Sequence, residues 1–281
     1  MNYKINSYVN YLLDNSPSPF CDYIISKEIL NLDDKTVRDS YDWAKRFKLY
    51  SEIADEQFPD GSWGGFVDAL SRTNANKRKY KATARAVWRL RDLSLDENDE
   101  MTAKTIDYCR KVLMGEIKTI CMKESSNIEQ NWVIRNAVSL ALFDLAPDDP
   151  LVADIKYDRG IVTDNQMAVL RHRLANGPFG LNMTEPYDIT ENAVDVTFLH
   201  GLEDLKSYAL FGELMSEKLA PFFYSLCERL VDPNDQIPIK INNYWGPLGK
   251  YSESWNKYEL KKKDLLLRII RILNGDSRKK S

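Results

Sequence analysis

The chain has 281 residues, of which 43% are hydrophobic and 29% charged, and its net charge at neutral pH is −3. This composition is ordinary for a globular protein and differs from that of a disordered chain or a coiled coil. The small negative charge argues against general nucleic-acid binding, for which a basic excess is usual. The cysteines form no Cys-x-x-Cys pair, which favours reduced thiols over disulfides or structural zinc; they are Cys21, Cys109, Cys121 and Cys227.

Targeting and membrane signals are also missing from the sequence. The first residues are polar and lead into an amphipathic stretch, unlike the apolar region of a signal peptide. No uninterrupted apolar run approaches the length of about 20 residues that crosses a bilayer. We therefore expect a cytoplasmic protein without a transmembrane segment.

Helical periodicity recurs along the whole chain, whereas strand alternation is nearly absent. The turn signals between the periodic segments are too short to be interdomain linkers, so we expect a single all-α domain over residues 1–281. The predicted helices cover residues 5–14, 20–31, 36–57, 80–93, 100–121, 129–145, 163–175, 187–205, 207–230 and 253–273.

The predicted helix 129–145 is apolar nearly all round, which is typical of a helix buried on most sides. A helix surrounded by other helices implies an inner and an outer layer. Its polar exceptions include Arg135 and Asn136, and a buried arginine is costly unless it is paired or faces water. These two residues either line a cavity or cap neighbouring helices.

A short glycine pattern occurs three times. Gly61-Ser62-Trp63-Gly64 is followed by Gly177-Pro178-Phe179-Gly180 and by Gly246-Pro247-Leu248-Gly249. Self-similarity of this kind is typical of stacked supersecondary units, although so loose a pattern also arises by chance.

The segment Gln57-Phe58-Pro59-Asp60-Gly61-Ser62-Trp63-Gly64 resembles the QW motif, Q-x-x-x-G-x-W, of terpenoid cyclases and protein prenyltransferases. In such a motif the glutamine can bond the next repeat, the tryptophan packs against it, and the glycine permits a tight turn. The predicted helices on either side fit that family's repeat unit. The resemblance implies an α/α toroid, in which paired inner and outer helices surround a central cavity.

The catalytic motifs of that family are incomplete in this chain. Neither D-x-D-D nor D-D-x-x-D occurs. Asp107-Tyr108-Cys109 and His172 have a spacing comparable to that of the prenyltransferase zinc ligands. Cys109, however, lies on the apolar stripe of its helix, and Asp107 can pair with Lys104 or Lys111 along the surface. We therefore expect no bound metal and no cofactor, and the sequence leaves open whether the protein is an enzyme.

The richest candidate for a catalytic site is an acidic stretch. Asp188, Glu191 and Asp195 share one helical face, and three such acids facing a cavity would suit a general acid or a magnesium site. Alternatively, they mark a helix start with its polar face in water. If there is an active site, we expect these acids to face the same cavity as Arg135 and Asn136.

Residues 72–91 contain eight lysines or arginines and no acid. Lys77 and Arg78 could bind a diphosphate or an acidic partner at the start of the following helix, or they could belong to a solvated face. The lysines at 261–263 are most simply the polar face of a solvated helix.

These observations support two main hypotheses. The first is a protein similar to prenyltransferases and terpenoid cyclases that binds an isoprenoid or other apolar ligand in a central cavity, with or without catalysis. The alternative is a non-catalytic helical-repeat scaffold that binds a protein partner. Glycan hydrolysis, a third possibility for an α/α toroid, would need a carboxylate pair, for which only the stretch 188–195 is available.

Overall fold

The computed structural model describes residues 3–15, 17–66, 80, 82–119, 128–152, 194–195, 220–240, 250–252 and 255–274. The chain divides into two compact units, the first made of residues 1–44 and 159–281 and the second of residues 45–158. The described residues are mainly helical, as the sequence predicts.

In chain order the elements are α1 (Tyr3–Asp14), α2 (Pro19–Ile24), a π-helical turn (Ile25–Ile29), α3 (Asp34–Lys45), α4 (Lys48–Ala54), α5 (Thr83–Asp92), α6 (Glu100–Met114), α7 (Ile128–Leu145), a 3₁₀ turn (Pro150–Val152), β1 (Val194–Asp195), α8 (Ala220–Val231), β2 (Ile239–Lys240) and α9 (Tyr258–Asn274).

Helix α9 is the core of the first unit. Every residue from 264 to 272 is buried, and α1, α8 and the π-helical turn pack against it. This buried run is unusual for a central helix because it contains ionisable residues: Asp264, Arg268 and Arg271 are only 3%, 1% and 8% exposed. Because an unpaired buried charge is very costly, such groups must be bonded from neighbouring segments.

The prediction of a solvated lysine face at 261–263 is wrong for Lys262, which is only 2% exposed. Its ammonium group donates a hydrogen bond of 2.7 Å to the carbonyl oxygen of Asp232, in the turn after α8, and lies over the Tyr258 ring. A long aliphatic stem allows a lysine to cross apolar surroundings and place its charge on a distant acceptor. The sequence shows the lysine but not this acceptor.

In the second unit, α7 packs against both α5 and α6. The side of α7 that faces them is buried at Ile134, Val138 and Leu142. The expected burial on most sides is wrong elsewhere along the helix, since Leu140 is 41% exposed and Arg135 is exposed as well. An apolar residue does not have to be buried, so the composition of this helix overstated its enclosure.

Several helix boundaries also differ from the predicted ones. The predicted helix 36–57 consists of α3 and α4, separated at Phe47, whose backbone is extended. The predicted helix 100–121 ends at Met114 because Gly115 adopts a left-handed conformation with φ of 79°. Such a glycine is a common helix terminator.

The predicted helix 187–205 is not helical at its two described residues. Val194 and Asp195 form β1, which pairs in parallel with β2, so that Val194 is opposite Ile239. Val194 and Ile239 are both β-branched, and such residues favour extended backbone over helix. The rest of this predicted helix and the whole of the predicted helix 163–175 lie outside the described residues.

Candidate functional site

Arg135 is the one residue of the predicted site whose side chain the structure describes. It is exposed, and its guanidinium donates a hydrogen bond of 2.8 Å to the carbonyl oxygen of Leu113, one residue before the end of α6. The last carbonyls of a helix have no partner within it, and an arginine in this position satisfies one of them. This contact corresponds to the capping alternative for Arg135.

The other predicted site residues lie wholly or partly outside the described residues. Asp188, Glu191, Lys77 and Arg78 are not described, and for Asn136 and Asp195 the description covers the backbone alone. The grouping of the three acids assumed a helix through residue 195. Because Asp195 lies in β1, the helical spacing that placed it with Asp188 and Glu191 does not hold at that residue. The joint location of the acids with Arg135 stays a prediction.

A polar joint connects the end of α4 to α6 in the second unit. The side-chain amide nitrogen of Gln57 lies 2.9 Å from the carbonyl oxygen of Met101 and 3.1 Å from the hydroxyl of Thr105. It also lies 3.3 Å from the carbonyl oxygen of Gly61. One amide group therefore ties the turn after α4 to the first turns of α6.

Gly61 lies against α6 with no room for a side chain. Its φ is 90°, and a Cβ atom at this position would be 2.2 Å from the carbonyl oxygen of Lys104. The hydroxyl of Thr105 donates to the carbonyl oxygen of Gly61 over 3.2 Å. Only glycine combines this backbone conformation with so close an approach.

Trp63 completes the joint from the buried side. It is 1% exposed, and its indole nitrogen donates to the carbonyl oxygen of Ile53 over 2.9 Å. Its backbone nitrogen donates to the hydroxyl of Thr83, the first residue of α5. The segment from Gln57 to Trp63, which we call the Gln57–Trp63 joint, thus connects α4, α5 and α6.

Next to this joint is a buried polar group that the sequence did not predict. The backbone nitrogen of Tyr80 donates to the Glu56 carboxylate over 2.7 Å, and Arg89 pairs with Asp92, three residues later on α5. Burial raises the pKa of Tyr80 to about 12, with the Arg89 guanidinium opposing the rise and Glu52 and Glu56 adding to it. The spacing of Arg89 and Asp92 suits a pair on one helix face, but it does not show that the face is buried.

The first unit contains a buried acid with a full set of donors. One carboxylate oxygen of Asp264 accepts from the backbone nitrogens of Tyr251 and Ser252, from the Ser252 hydroxyl and from the Trp255 indole, over 2.6–3.1 Å. Burial raises the pKa of Asp264, while these hydrogen bonds lower it. The arrangement fixes the loop before α9, and its donors come from the protein itself, so it is a structural group.

Cys109 and Asp107, which have the spacing of zinc ligands, are not arranged to bind a metal ion. Cys109 is fully buried, and burial raises the pKa of its thiol to about 12, which disfavours the thiolate that metals require. Asp107 pairs with Lys111 over 2.6 Å, which confirms one of its two predicted pairings. His172 lies outside the described residues. Within the described ranges, no three His, Cys, Asp or Glu side chains are grouped to hold a metal ion.

The helices of the described part of the chain include none that is both long enough and apolar enough to span a bilayer.

Searches against family models, curated proteins and solved structures found no match to this chain.

Proposed function

We propose that this chain is a helical-repeat protein of the terpenoid cyclase and prenyltransferase type, and that it binds an isoprenoid or another apolar ligand in the central cavity of an α/α toroid. The observation that carries the proposal is the Gln57–Trp63 joint. In a motif of the form Q-x-x-x-G-x-W, the glutamine can bond the next repeat, the glycine permits a tight turn and the tryptophan packs against the repeat.

Each of these three roles has a counterpart in the second unit. Gln57 bonds α6, Gly61 has a positive φ and touches α6, and Trp63 is buried between α4 and α5. A chance occurrence of the letters would not require all three residues to have these roles at once. Local likeness of this kind supports the repeat architecture more strongly than any particular activity.

The ligand's chemistry follows from the residues that the proposal assigns to the site. An apolar chain would be held by the cavity wall, and a diphosphate, if the ligand has one, would be bound by Lys77 and Arg78. Asp188, Glu191 and Asp195 would supply a general acid or hold magnesium. Turnover is the further step of the proposal, because it would depend on the chemistry of these three acids as well as on binding.

Ligand binding is tested first on the purified protein by native mass spectrometry, which detects a retained lipid. A titration of tryptophan fluorescence with farnesyl diphosphate, farnesol and inorganic diphosphate then separates the two parts of the ligand. We expect both farnesyl compounds to bind and inorganic diphosphate to bind far more weakly. A protein that retains no lipid and binds neither farnesyl compound contradicts the proposal.

The assignment of Lys77 and Arg78 is tested by replacing both with alanine. Loss of two diphosphate contacts would weaken farnesyl diphosphate by about tenfold or more and leave farnesol unchanged. The matched control replaces Lys35 and Lys48, two exposed lysines on α3 and α4, and should change neither affinity. Equal weakening in both double variants would indicate a general effect of charge.

Turnover is tested by release of diphosphate from farnesyl diphosphate in the presence of magnesium. The variant with Asp188→Asn, Glu191→Gln and Asp195→Asn should lose release while it retains the affinity for farnesol. Release that persists in this variant would assign the chemistry to other residues.

The non-catalytic scaffold remains the second candidate, and the position of Arg135 favours it. Of the two roles that the sequence left open for Arg135, the residue has the capping one: it is exposed and satisfies the end of a neighbouring helix. A protein that binds none of the three probes but forms a stoichiometric complex with a protein partner would support this candidate.

A further inference from the structure

The helix formed by α2 and the π-helical turn is anchored at both ends to the same residue, Tyr251. At its start, the Ser18 hydroxyl accepts from the backbone nitrogen of Cys21 and donates to the carbonyl oxygen of Tyr251 over 2.7 Å. At its end, the Glu28 carboxylate binds the Arg271 guanidinium, which also donates to the Tyr251 hydroxyl over 2.7 Å. The helix therefore spans two fixed points.

The bond between Glu28 and Arg271 is bidentate and largely shielded from water. The two carboxylate oxygens accept from Nε over 2.8 Å and from Nη2 over 2.9 Å. The Arg271 side chain is 8% exposed and that of Glu28 27% exposed. Paired, charge-assisted bonds of this geometry are among the strongest side-chain contacts.

Between the anchors, the backbone takes a wider turn than an α-helix. The backbone nitrogen of Leu30 donates to the carbonyl oxygen of Ile25, five residues earlier, over 2.9 Å, and that of Leu32 donates to Ser26. The carbonyl oxygen of Glu28 accepts from the side chain of Asn274 on α9. A π turn holds one more residue than an α turn and is rare without compensation from its surroundings.

We propose that the Glu28–Arg271 ion pair is a latch that holds residues 25–29 in the π register, and that this segment is a two-state element that changes to the α register when the latch opens. In the α register the turn contains one residue fewer than in the π register. The change would therefore rotate the side chains that follow the turn by about 100° around the helix axis, relative to those before it. That rotation would take Glu28 away from Arg271, so opening the ion pair and leaving the π register would occur together.

The proposal is tested by amide hydrogen exchange measured by NMR on the full-length chain. Glu28→Gln removes the charge while keeping the size of the side chain. We expect exchange at Leu30 and Leu32 to become about tenfold faster or more, while amides in the middle of α9 stay within about twofold of the wild type, because local opening is separate from global unfolding.

The matched control is Glu228→Gln, which breaks an exposed ion pair with Lys4 in the same unit, and it should leave both leucine amides unchanged. Arg271→Lys retains the charge but not the bidentate geometry, so its effect should lie between those of the wild type and Glu28→Gln.

Two results would overturn the proposal. Uniformly faster exchange across α1, α8 and α9 would show that the ion pair stabilises the whole unit without setting the register. Unchanged exchange at Leu30 and Leu32 would show that the π turn does not depend on the pair. If neither variant folds, the wild type decides: Leu30 and Leu32 must open together and more readily than α9, and equal protection would contradict the latch.

Discussion

Trp63 has the largest fully buried side chain among the described residues, and it also donates a hydrogen bond to Ile53. Trp63→Ala would remove this packing and leave a cavity, so we expect the free energy of unfolding to fall by about 3–5 kcal/mol. Urea unfolding followed by circular dichroism measures the change.

Trp43→Ala is the control, because it makes the same chemical change at a residue that is 50% exposed and lies outside the core. Its cost should stay below about 1 kcal/mol. A cost for Trp63→Ala in that lower range would contradict the structural role of the Gln57–Trp63 joint.

Tyr80 gives a prediction in alkaline solution. Its pKa is about 12 in the folded protein against 10.0 for an unperturbed tyrosine, with burial as the main cause. Ionisation therefore favours the unfolded chain, and the contribution of Tyr80 is fully present below pH 10 and is lost as the pH rises to 12. The loss should total about 2–3 kcal/mol.

Tyr80→Phe removes the ionisable group. The unfolding free energy of the wild type minus that of the variant should therefore fall as the pH rises over the same range. Other tyrosines, such as Tyr8, titrate in both proteins and cancel in this difference. A difference that stays constant from pH 9 to pH 12 would show that Tyr80 has the same pKa in the folded and the unfolded protein, which would contradict the prediction.

At the scale of residues, the sequence predicts contacts that are local or that belong to one helix. The burial of Cys109 and the pairing of Asp107 with Lys111 follow from helical spacing alone. For Gln57, the resemblance to the motif implied a bond to the next repeat, and the structure shows a bond from Gln57 to α6. The buried charges of Lys262 and Asp264 were not predictable, because their partners are backbone groups in loops that periodicity does not locate.

At the scale of elements, two glycines allow a test of how closely the turn at Gly61 approaches α6. Gly61 and Gly115 both have positive φ, but a Cβ atom at Gly61 would meet α6 whereas at Gly115 it would meet nothing within 4 Å. Gly115→Ala should cost about 1–2 kcal/mol for the left-handed backbone alone. Gly61→Ala should cost about 1–3 kcal/mol more, as overpacking does.

Thermal or urea unfolding of the two variants gives the difference directly. Equal costs at the two glycines would mean that the turn at Gly61 can move away from α6. The backbone strain common to both would then be the whole effect.

The existence of the helices was easier to predict than their ends. Apolar spacing identified α1, α5 and α7 to within a few residues, and it located the start of α6 but not its end. Ends depend on single residues: Gly115 stops α6, and the extended backbone at Phe47 divides a long predicted helix. At Val194, pairing with a strand distant in sequence prevails over the helical pattern.

At the scale of the whole molecule, the division into units predicts different behaviour for two fragments. The second unit is continuous, and its helices α5, α6 and α7 pack on one another. We expect residues 45–158 alone to be helical and to unfold cooperatively. Residues 1–257, which lack the central helix of the first unit, should retain only the cooperative transition of the second.

Circular dichroism during urea unfolding distinguishes these outcomes. A fragment 45–158 without a cooperative transition would show that the second unit depends on the first. The sequence indicated neither unit, because periodicity tells which face of a helix is buried but not which helix covers it. The predicted toroid and its cavity require that same information, so they remain part of the proposal.

The first unit is formed from two separate parts of the chain, residues 1–44 and 159–281, and this determines when it can form during synthesis. The apolar faces of α1 and α2, including Leu12, Phe20 and Ile24, are buried in a unit whose centre is α9. Ribosomes add about 5–20 residues per second, so α9 emerges about 10–50 s after α2. During that interval the first helices have no core to join, whereas the second unit can already fold. The nascent chain is therefore exposed to aggregation at its beginning, and this is the segment that a chaperone would need to cover.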